Sequence, residues 1–188
     1  MTLKTYTISL SWVLILESSI FSDSRWNFQE LYREDTFQLS GIDTIFIQDN
    51  FSVSKKWVLR WLHFQTQKPQ AKLVIPLSGS IYDVVVDLRQ DSPTFWKYEG
   101  YILYRGKSLF VPRGFAHGFL SLEDDTTVLY KCDTLYDPGG ESGIMWNDES
   151  LWIDWNNISK DHHIEDLILS EKDSRLPSFL TYKNNPLF

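Results

Sequence analysis

A histidine and two cations lie close together in one short segment, residues 57–72, with the sequence WVLRWLHFQTQKPQAK. His63 follows Arg60 and precedes Lys72, and the apolar side chains around it favour a β-strand. A neutral imidazole can accept a proton, and nearby cations can stabilise a negative charge, so these groups suit proton abstraction next to a carbonyl. On these residues alone, the favoured interpretation is a plain β-hairpin with one hydrogen-bonded histidine and two solvated cations.

Composition narrows the class of protein. With 188 residues, 43% of them hydrophobic, the chain can bury a core, and we predict a single domain over residues 1–188. A formal net charge of −7 gives no general support for nucleic-acid binding. The single cysteine, Cys132, excludes an internal disulfide and is typical of a reducing compartment. No apolar stretch reaches the length of a membrane span and no signal peptide is recognisable, so we expect a cytoplasmic protein without membrane contact.

Many short strands joined by turns are predicted from the hydrophobic pattern. In Ile81–Leu88 strict alternation places Asp83 and Asp87 on one face, as buried structural groups or as ligand contacts. The pattern indicates an all-β sandwich or barrel with short helices towards the C-terminus. Further strands are predicted at 13–16, 44–48, 58–64, 72–76, 101–104, 108–111 and 128–132, turns at 21–25 and 49–50, and helices at 33–40, ending at Gly41, and around 164–170.

The segment Phe110–Phe119, FVPRGFAHGF, carries the pattern P-x-G-x-x-H in Pro112, Gly114 and His117. This pattern resembles the second signature of the cupin jelly roll, in which a tight turn leads into a strand that points one imidazole into the barrel.

Metal-binding cupins combine that histidine with an H-x-H motif on an earlier strand, whereas here His63 is followed by Phe64 and Gln65. A protein metal site needs three or four converging ligands. His162 and His163 are adjacent in a polar region, where we expect them to face solvent. We therefore predict no bound metal.

Seven segments together resemble the dTDP-4-dehydrorhamnose 3,5-epimerases, in the family's order from about Leu14 to Pro177. They are FIQDNFSVSKK, VLRWLHFQ, QAKLV, YDVVVDLRQDSPTF, FVPRGFAHGF, YKCDTLYDPGGESGIMWND and ILSEKD. The resemblance implies a metal-free cupin jelly roll, a homodimer, and a cofactor-independent isomerase in dTDP-L-rhamnose synthesis for cell-surface polysaccharide. Its substrate would be dTDP-4-dehydro-6-deoxy-D-glucose, epimerised at C3 and C5. Two alternatives stay open: a single-carbon epimerase or keto-isomerase of such a sugar, and a catalytically silent cupin that binds a nucleotide sugar.

The resemblance also assigns roles to individual residues. His63 corresponds to the catalytic base, Asp173 to the carboxylate that holds it, Tyr136 to the acid that reprotonates the opposite face, and Lys72 to the lysine beside the C4 oxygen. Positions that correspond to nucleotide-sugar contacts are Arg25, Phe28, Glu30, Gln48, Asn50, Arg60, His117, Glu141 and Lys172.

Six of the eight tryptophans stand where the family is expected to have glycine. Trp61 matters most, because a glycine there would let the strand bulge so that Arg60 and His63 face one site, and a tryptophan there is expected to obstruct the pocket. Our hypothesis is that UGA encodes glycine in the source organism and that these codons were translated as tryptophan. The six are Trp12, Trp26, Trp57, Trp61, Trp96 and Trp152, whereas Trp146 and Trp155 match family tryptophans.

Overall fold

A computed structural model of the chain describes residues 2–155, 158 and 166–188. Within these ranges the chain forms mainly β-strands, as predicted. The strands are β1 (Leu3–Thr7), β2 (Leu14–Ser18), β3 (Ile20–Asp23), β4 (Trp26–Gln29), β5 (Gln48–Ser54), β6 (Leu59–Gln65), β7 (Lys72–Ser78), β8 (Ser80–Asp87), β9 (Tyr98–Tyr104), β10 (Lys107–Val111), β11 (Phe115–Ser121), β12 (Thr126–Cys132) and β13 (Glu141–Gly143). The helical segments include α1 (Glu34–Leu39), a 3-10 turn at Asp173–Arg175, and α2 (Phe179–Asn184).

Two antiparallel sheets form the jelly roll. One sheet has the strand order β1-β2-β10-β7-β12-β5, the other has the order β13-β6-β11-β8-β9, and β3 and β4 form a separate hairpin. The consecutive strands β6, β7 and β8 change sheet at each connection. The hairpin interpretation of the segment around His63 is therefore wrong, because β6 and β7 belong to different sheets.

Alternation along β8 decides which side chains enter the core. Ile81 and Val85 point between the two sheets, while Val84 and Val86 point to the outer face of the five-stranded sheet. The C-terminal region covers that outer face with Trp155, Leu176, Phe179 and Tyr182. On the other side of the molecule, Phe37 of α1 and Ile42 cover the outer face of the six-stranded sheet.

The helix at 33–40 is confirmed as α1, and Gly41 follows it with φ +86°, a conformation that glycine adopts without steric cost. The second predicted helix is wrong over residues 167–170, where Ile168 forms a parallel bridge with Val58. Its residues 164 and 165 lie outside the described residues. Helix α2 begins instead after Ser178, whose side chain accepts a hydrogen bond from the Thr181 N–H.

Two edge regions differ from the prediction. Residues 21–25, predicted as a turn, belong mostly to the β3–β4 hairpin, which is largely exposed. Strand β5 runs through the predicted turn at 49–50, whereas 44–47 is not a strand. The reason is that Phe51 and Val53 on β5 face outwards, which inverts the usual relation between polarity and burial.

Candidate active site

One open cavity of about 710 Å³ is formed by the two sheets and the segment 168–173. Strands β5, β6, β7, β11 and β12 contribute its walls, so residues far apart in sequence meet there. The cavity is lined by ten of the thirteen residues predicted for the site: Gln48, Asn50, Arg60, His63, Lys72, His117, Tyr136, Glu141, Lys172 and Asp173.

A bulge in β6 brings Arg60 and His63 to the same side. His63 pairs with His117, and Arg60 pairs with Phe119, so β6 has one residue more than β11 between the two pairs. The two β6 residues at the bulge are Trp61 and Leu62, and both are fully buried in the apolar core. The Trp61 ring packs against Trp155 with 4.3 Å between centroids, and Trp61 is not among the residues that line the cavity. It therefore does not obstruct the site.

His63 is supported from behind by a carboxylate. Its Nε2 lies 2.7 Å from Asp173 Oδ1, a close polar contact rather than a well-aligned hydrogen bond, with side chains 25% and 6% exposed. Burial alone would raise the pKa of Asp173. The contact with His63 and the hydroxyl of Ser170 outweigh this and hold the pKa below its ordinary value. The carboxylate is thus ionised at neutral pH and can stabilise a protonated imidazole.

Tyr136 is held at the cavity by two contacts. Its hydroxyl donates a hydrogen bond to Glu141, and its backbone N–H donates to Gln48 Oε1 at 2.8 Å. The hydrogen bond to Glu141, together with burial and the charge of that carboxylate, raises the pKa of Tyr136, so its proton is retained at neutral pH. Glu141 also forms an ion pair with Lys172. Burial opposes its ionisation, but Lys172 and Tyr136 hold the pKa of Glu141 below the usual value.

Lys72, at the start of β7, supplies positive charge to the same cavity. Burial lowers the pKa of its ammonium group, while Cys132, Asp83 and Glu141 oppose that shift. A partly buried cation is only weakly screened by water, so it can act strongly on a negative charge that develops nearby.

A second histidine–carboxylate pair lies deeper. His117 Nε2 is 2.8 Å from Asp83 Oδ2, and Asp83 Oδ1 has no hydrogen-bond partner among the described residues. Asp83 is fully buried and is not a cavity-lining residue, so it reaches the site only through His117. Asp87, on the same face of β8, accepts hydrogen bonds from Arg89, Ser92 and Thr94 and fixes the following turn. Both aspartates are therefore structural groups.

Several residues that line the cavity were not predicted from the sequence, including Gln65, Gln70, Val74, Phe119, Tyr130 and Cys132. The alternation of β12, with Val128, Tyr130 and Cys132 on one face, was a usable signal for two of them. Without the sheet order, however, that face could not be assigned to the cavity.

Arg25, Phe28 and Glu30 lie outside the cavity of this chain. Arg25 is exposed in the turn of the β3–β4 hairpin, where it pairs with Asp23, and Phe28 is 67% exposed on β4. Glu30 follows β4 and lies 3.7 Å from Arg33.

In the described ranges, no group of three or more His, Cys, Asp or Glu side chains is arranged to hold a metal ion. His162 and His163 lie outside the described residues. None of the helices in the described part of the chain is long and apolar enough to span a membrane.

Comparison with known proteins identifies the family. The family model described as dTDP-4-dehydrorhamnose 3,5-epimerase matches residues 7–181. The chain belongs to this family. A dTDP-4-dehydrorhamnose 3,5-epimerase from Methanothermobacter thermautotrophicus is 43% identical over 182 residues, covering 96% of this chain and 95% of the relative.

Solved structures of epimerases agree with the sequence comparison. The enzyme from Bacillus anthracis, with TDP and PPi bound, is 41% identical with a TM-score of 0.86, covering 94% of this chain and 99% of that one. The enzyme from Legionella pneumophila, in complex with dTDP-4-keto-L-rhamnose, is 38% identical with a TM-score of 0.87, covering 94% and 93%. The epimerase fold is therefore shared over nearly the whole chain.

Proposed function

We propose that this epimerase-family chain converts dTDP-4-dehydro-6-deoxy-D-glucose to dTDP-4-dehydro-L-rhamnose by epimerisation at C3 and C5, without a cofactor. The observation that carries the proposal is that the His63–Asp173 contact opens into the same cavity as Lys72 and Tyr136. The bound sugar nucleotide in the Legionella relative supports this substrate class. The reaction would belong to dTDP-L-rhamnose biosynthesis, which provides a sugar for cell-surface polysaccharide.

The first step is proton abstraction. C3 and C5 both neighbour the C4 carbonyl, so a proton lost from either carbon leaves its electron pair delocalised onto O4 as an enolate. His63 accepts the proton and becomes positively charged, and the ionised Asp173 stabilises that charge and orients the ring.

The enolate needs a positive partner, and Lys72 is the candidate because its ammonium group is partly buried in the cavity wall. A cation already in place costs little reorganisation when charge develops on O4. Arg60 and Lys172 carry further positive charge around the cavity and suit the diphosphate of the nucleotide, together with the amides of Gln48 and Asn50.

The second step is proton return to the opposite face of the sugar. Tyr136 retains its hydroxyl proton because Glu141 raises its pKa, so it is a suitable donor at neutral pH. To deliver this proton, the hydroxyl must break its hydrogen bond to Glu141 and turn towards the sugar carbon. The phenolate that forms and the protonated His63 then return to their starting states by exchange with solvent.

A pair of variants tests this assignment. His63→Ala removes the base, and we expect turnover to fall by roughly 10²–10⁴-fold, the usual contribution of general acid–base catalysis. Tyr136→Phe leaves abstraction possible, so NMR in deuterated water should show substrate exchange without completed epimerisation. Tyr104→Phe, on β9 and not a cavity-lining residue, is the matched control. Absence of turnover in the parent protein as well as in both cavity variants would favour a catalytically silent nucleotide-sugar-binding protein, whereas measurable turnover that neither variant changes would reject the roles of His63 and Tyr136.

The same NMR experiment separates the alternatives among enzymes. Deuterium at both C3 and C5 of the product supports the 3,5-epimerase, whereas label at one carbon identifies a single-carbon epimerase. Movement of the keto group identifies a keto-isomerase.

The protein would act in the cytoplasm as a homodimer. Arg25, Phe28 and Glu30 lie on or next to an exposed hairpin outside the cavity of their own chain, and the hairpin also exposes Ile20 and Phe21. In the dimer this hairpin would reach the cavity of the second copy and complete its nucleotide site. Cys132 is free and buried, in agreement with a reducing compartment.

Mixing two variant chains tests whether the hairpin of one copy completes the site of the other. Arg25→Ala and His63→Ala chains, each with low activity at limiting substrate, should regain activity when co-refolded, because one site in the mixed dimer contains both native residues. Absence of any regain in a dimer confirmed by sedimentation would place the hairpin outside the partner's site.

A further inference from the structure

Tryptophan occupies an unusual backbone conformation in this chain. Among the described residues other than glycine, six have positive φ in the left-handed region, and five of these are tryptophan. The sixth, Asp125 with φ +55°, is a residue type that tolerates this region. The tryptophans and their φ angles are Trp12 (74°), Trp26 (124°), Trp57 (65°), Trp96 (66°) and Trp152 (50°).

Glycine is the residue that such positions normally carry. A Cβ atom clashes with the backbone when φ is positive, and a bulky aromatic side chain is a clear outlier there. Four glycines of this chain also have positive φ, including Gly79 and Gly114 in tight turns. Trp146 and Trp155, the two tryptophans expected from the family, do not. Positive φ therefore separates the tryptophans into the same two groups as those expected from the sequence resemblance, with Trp61 the one exception.

Backbone hydrogen bonds hold these conformations. The Trp57 N–H donates to the Ser121 carbonyl at 2.8 Å, and its own carbonyl accepts from Ile168 at 2.9 Å. The Trp96 N–H donates to the Asp87 carbonyl at 2.7 Å. Rotation of either residue to negative φ would break contacts that join neighbouring elements, so the backbone geometry belongs to the fold.

At the three most exposed positions the indole rings provide little compensation, whereas Trp57 and Trp96 pack against the core. Trp12, Trp26 and Trp152 are 75%, 78% and 81% exposed, so each places a large apolar ring in water while its backbone is strained. At these three positions neither packing nor backbone preference favours tryptophan.

Tryptophan is also unfavourable at position 61, although for a different reason. It lies at the β6 bulge, where the backbone approaches Gly118 so closely that a Cβ on that glycine would lie 2.7 Å from the Arg60 carbonyl oxygen. The Trp61 ring is fully buried, yet its Nε1 has no hydrogen-bond partner among the described residues. A buried unpaired N–H is unfavourable, whereas glycine suits a bulge.

We infer that the protein made by the source organism carries glycine at positions 12, 26, 57, 61, 96 and 152. The genetic explanation is that UGA, one base away from the UGG tryptophan codon, is a glycine codon in that organism. The native cavity would then have the same lining, because Trp61 contributes nothing to it, and the turns around it would lose their strain.

Paired substitutions test whether tryptophan strains the backbone at these positions. At each of the exposed positions 12, 26 and 152, Trp→Gly should raise the melting temperature by about 2–4 °C, since relief of left-handed strain acts on a chain of this size. Trp→Ala removes the same ring but keeps Cβ, so it should give no such rise. Trp155→Gly is the reverse control, because this indole is buried and donates to the Trp146 carbonyl, and it should lower the melting temperature. Equal effects of Gly and Ala would overturn the backbone argument.

Peptide mass spectrometry of the epimerase purified from its own organism decides the identity of the residues. Peptides that cover the six positions should have glycine masses, while those that contain Trp146 and Trp155 should have tryptophan masses. Tryptophan masses at the six positions would overturn the inference. If the chain with tryptophan at the six positions fails to fold on expression in a standard host, and the chain with glycine at the same six positions folds and turns over substrate, the inference is supported independently.

Discussion

Two histidine–carboxylate pairs face each other across neighbouring strands and yet differ in character. His63 and His117 are directly paired between β6 and β11, and their Nε2 atoms lie 2.7 and 2.8 Å from Asp173 and Asp83. The first pair has side chains 25% and 6% exposed, and the second has 8% and 0%. Chemically equal pairs thus lie at different depths.

The pKa values of the two aspartates are shifted in opposite directions. Burial raises the pKa of Asp83 even though His117 and Lys72 oppose the shift, whereas the surroundings of Asp173 hold its pKa low. A base that must carry a proton during turnover needs an ionised partner, so His63–Asp173 suits catalysis. His117–Asp83 is better suited to fixing the wall of the cavity. The solvent exposure of each pair and the groups around its carboxylate, rather than residue type, distinguish the two roles.

The largest expected difference is in turnover. Asp173→Asn removes the charge that balances protonated His63, and we expect kcat to fall about 10²-fold with KM nearly unchanged. Glu171→Gln, an exposed carboxylate on the preceding segment, is the control and should behave like the parent protein. If Asp173→Asn kept nearly full kcat, the two pairs would no longer differ in function.

Asp83→Asn should have a smaller effect on kcat than Asp173→Asn. Its side chain does not line the cavity, and an amide can still hydrogen-bond to His117. Because burial disfavours the Asp83 charge, the melting temperature at neutral pH should not decrease. A loss of kcat as large as that of Asp173→Asn would mean that His117 takes part in proton transfer.

The subtlest difference should appear in stability against pH. Asp173 has a folded-state pKa below 3.8, so its contribution is complete above 3.8 and is lost as pH falls through the folded value. Asp83 has a folded-state pKa above 3.8, so the parent should gain stability relative to Asp83→Asn as pH falls through that value towards 3.8. Urea denaturation of the parent and both variants between pH 7 and pH 3 measures these opposite trends. Parallel curves would contradict the assigned environments.

Sequence patterns alone predicted the all-β class, helix α1 and strands such as β8, because alternation and helix-stop signals are local. They could not predict that β6 and β7 separate into different sheets, since a hairpin and a sheet change have the same strand pattern. Strand β5 was misplaced because its apolar side chains face outwards. The single domain over 1–188 stays a prediction.

The prediction of the site residues depended on the resemblance to the epimerase family. His63, Lys72 and Asp173 come from β6, β7 and the C-terminal 3-10 turn, and no periodicity in the sequence links them. The contact between His63 and Asp173 spans more than half of the chain, so only the folded topology can create it. Tyr130 was missed for the same reason, because its role depends on which strand faces the cavity.

The extra residue in β6 has a consequence for folding accuracy. If β6 paired with β11 without it, every side chain beyond the bulge would exchange faces, so His63 would enter the core and Leu62 would enter the cavity. Such a sheet would still be hydrogen-bonded along its length, but it would contain no base. A molecule misregistered in this way would lack His63 on the cavity wall, so the active fraction of a preparation would report how often β6 pairs in the correct register.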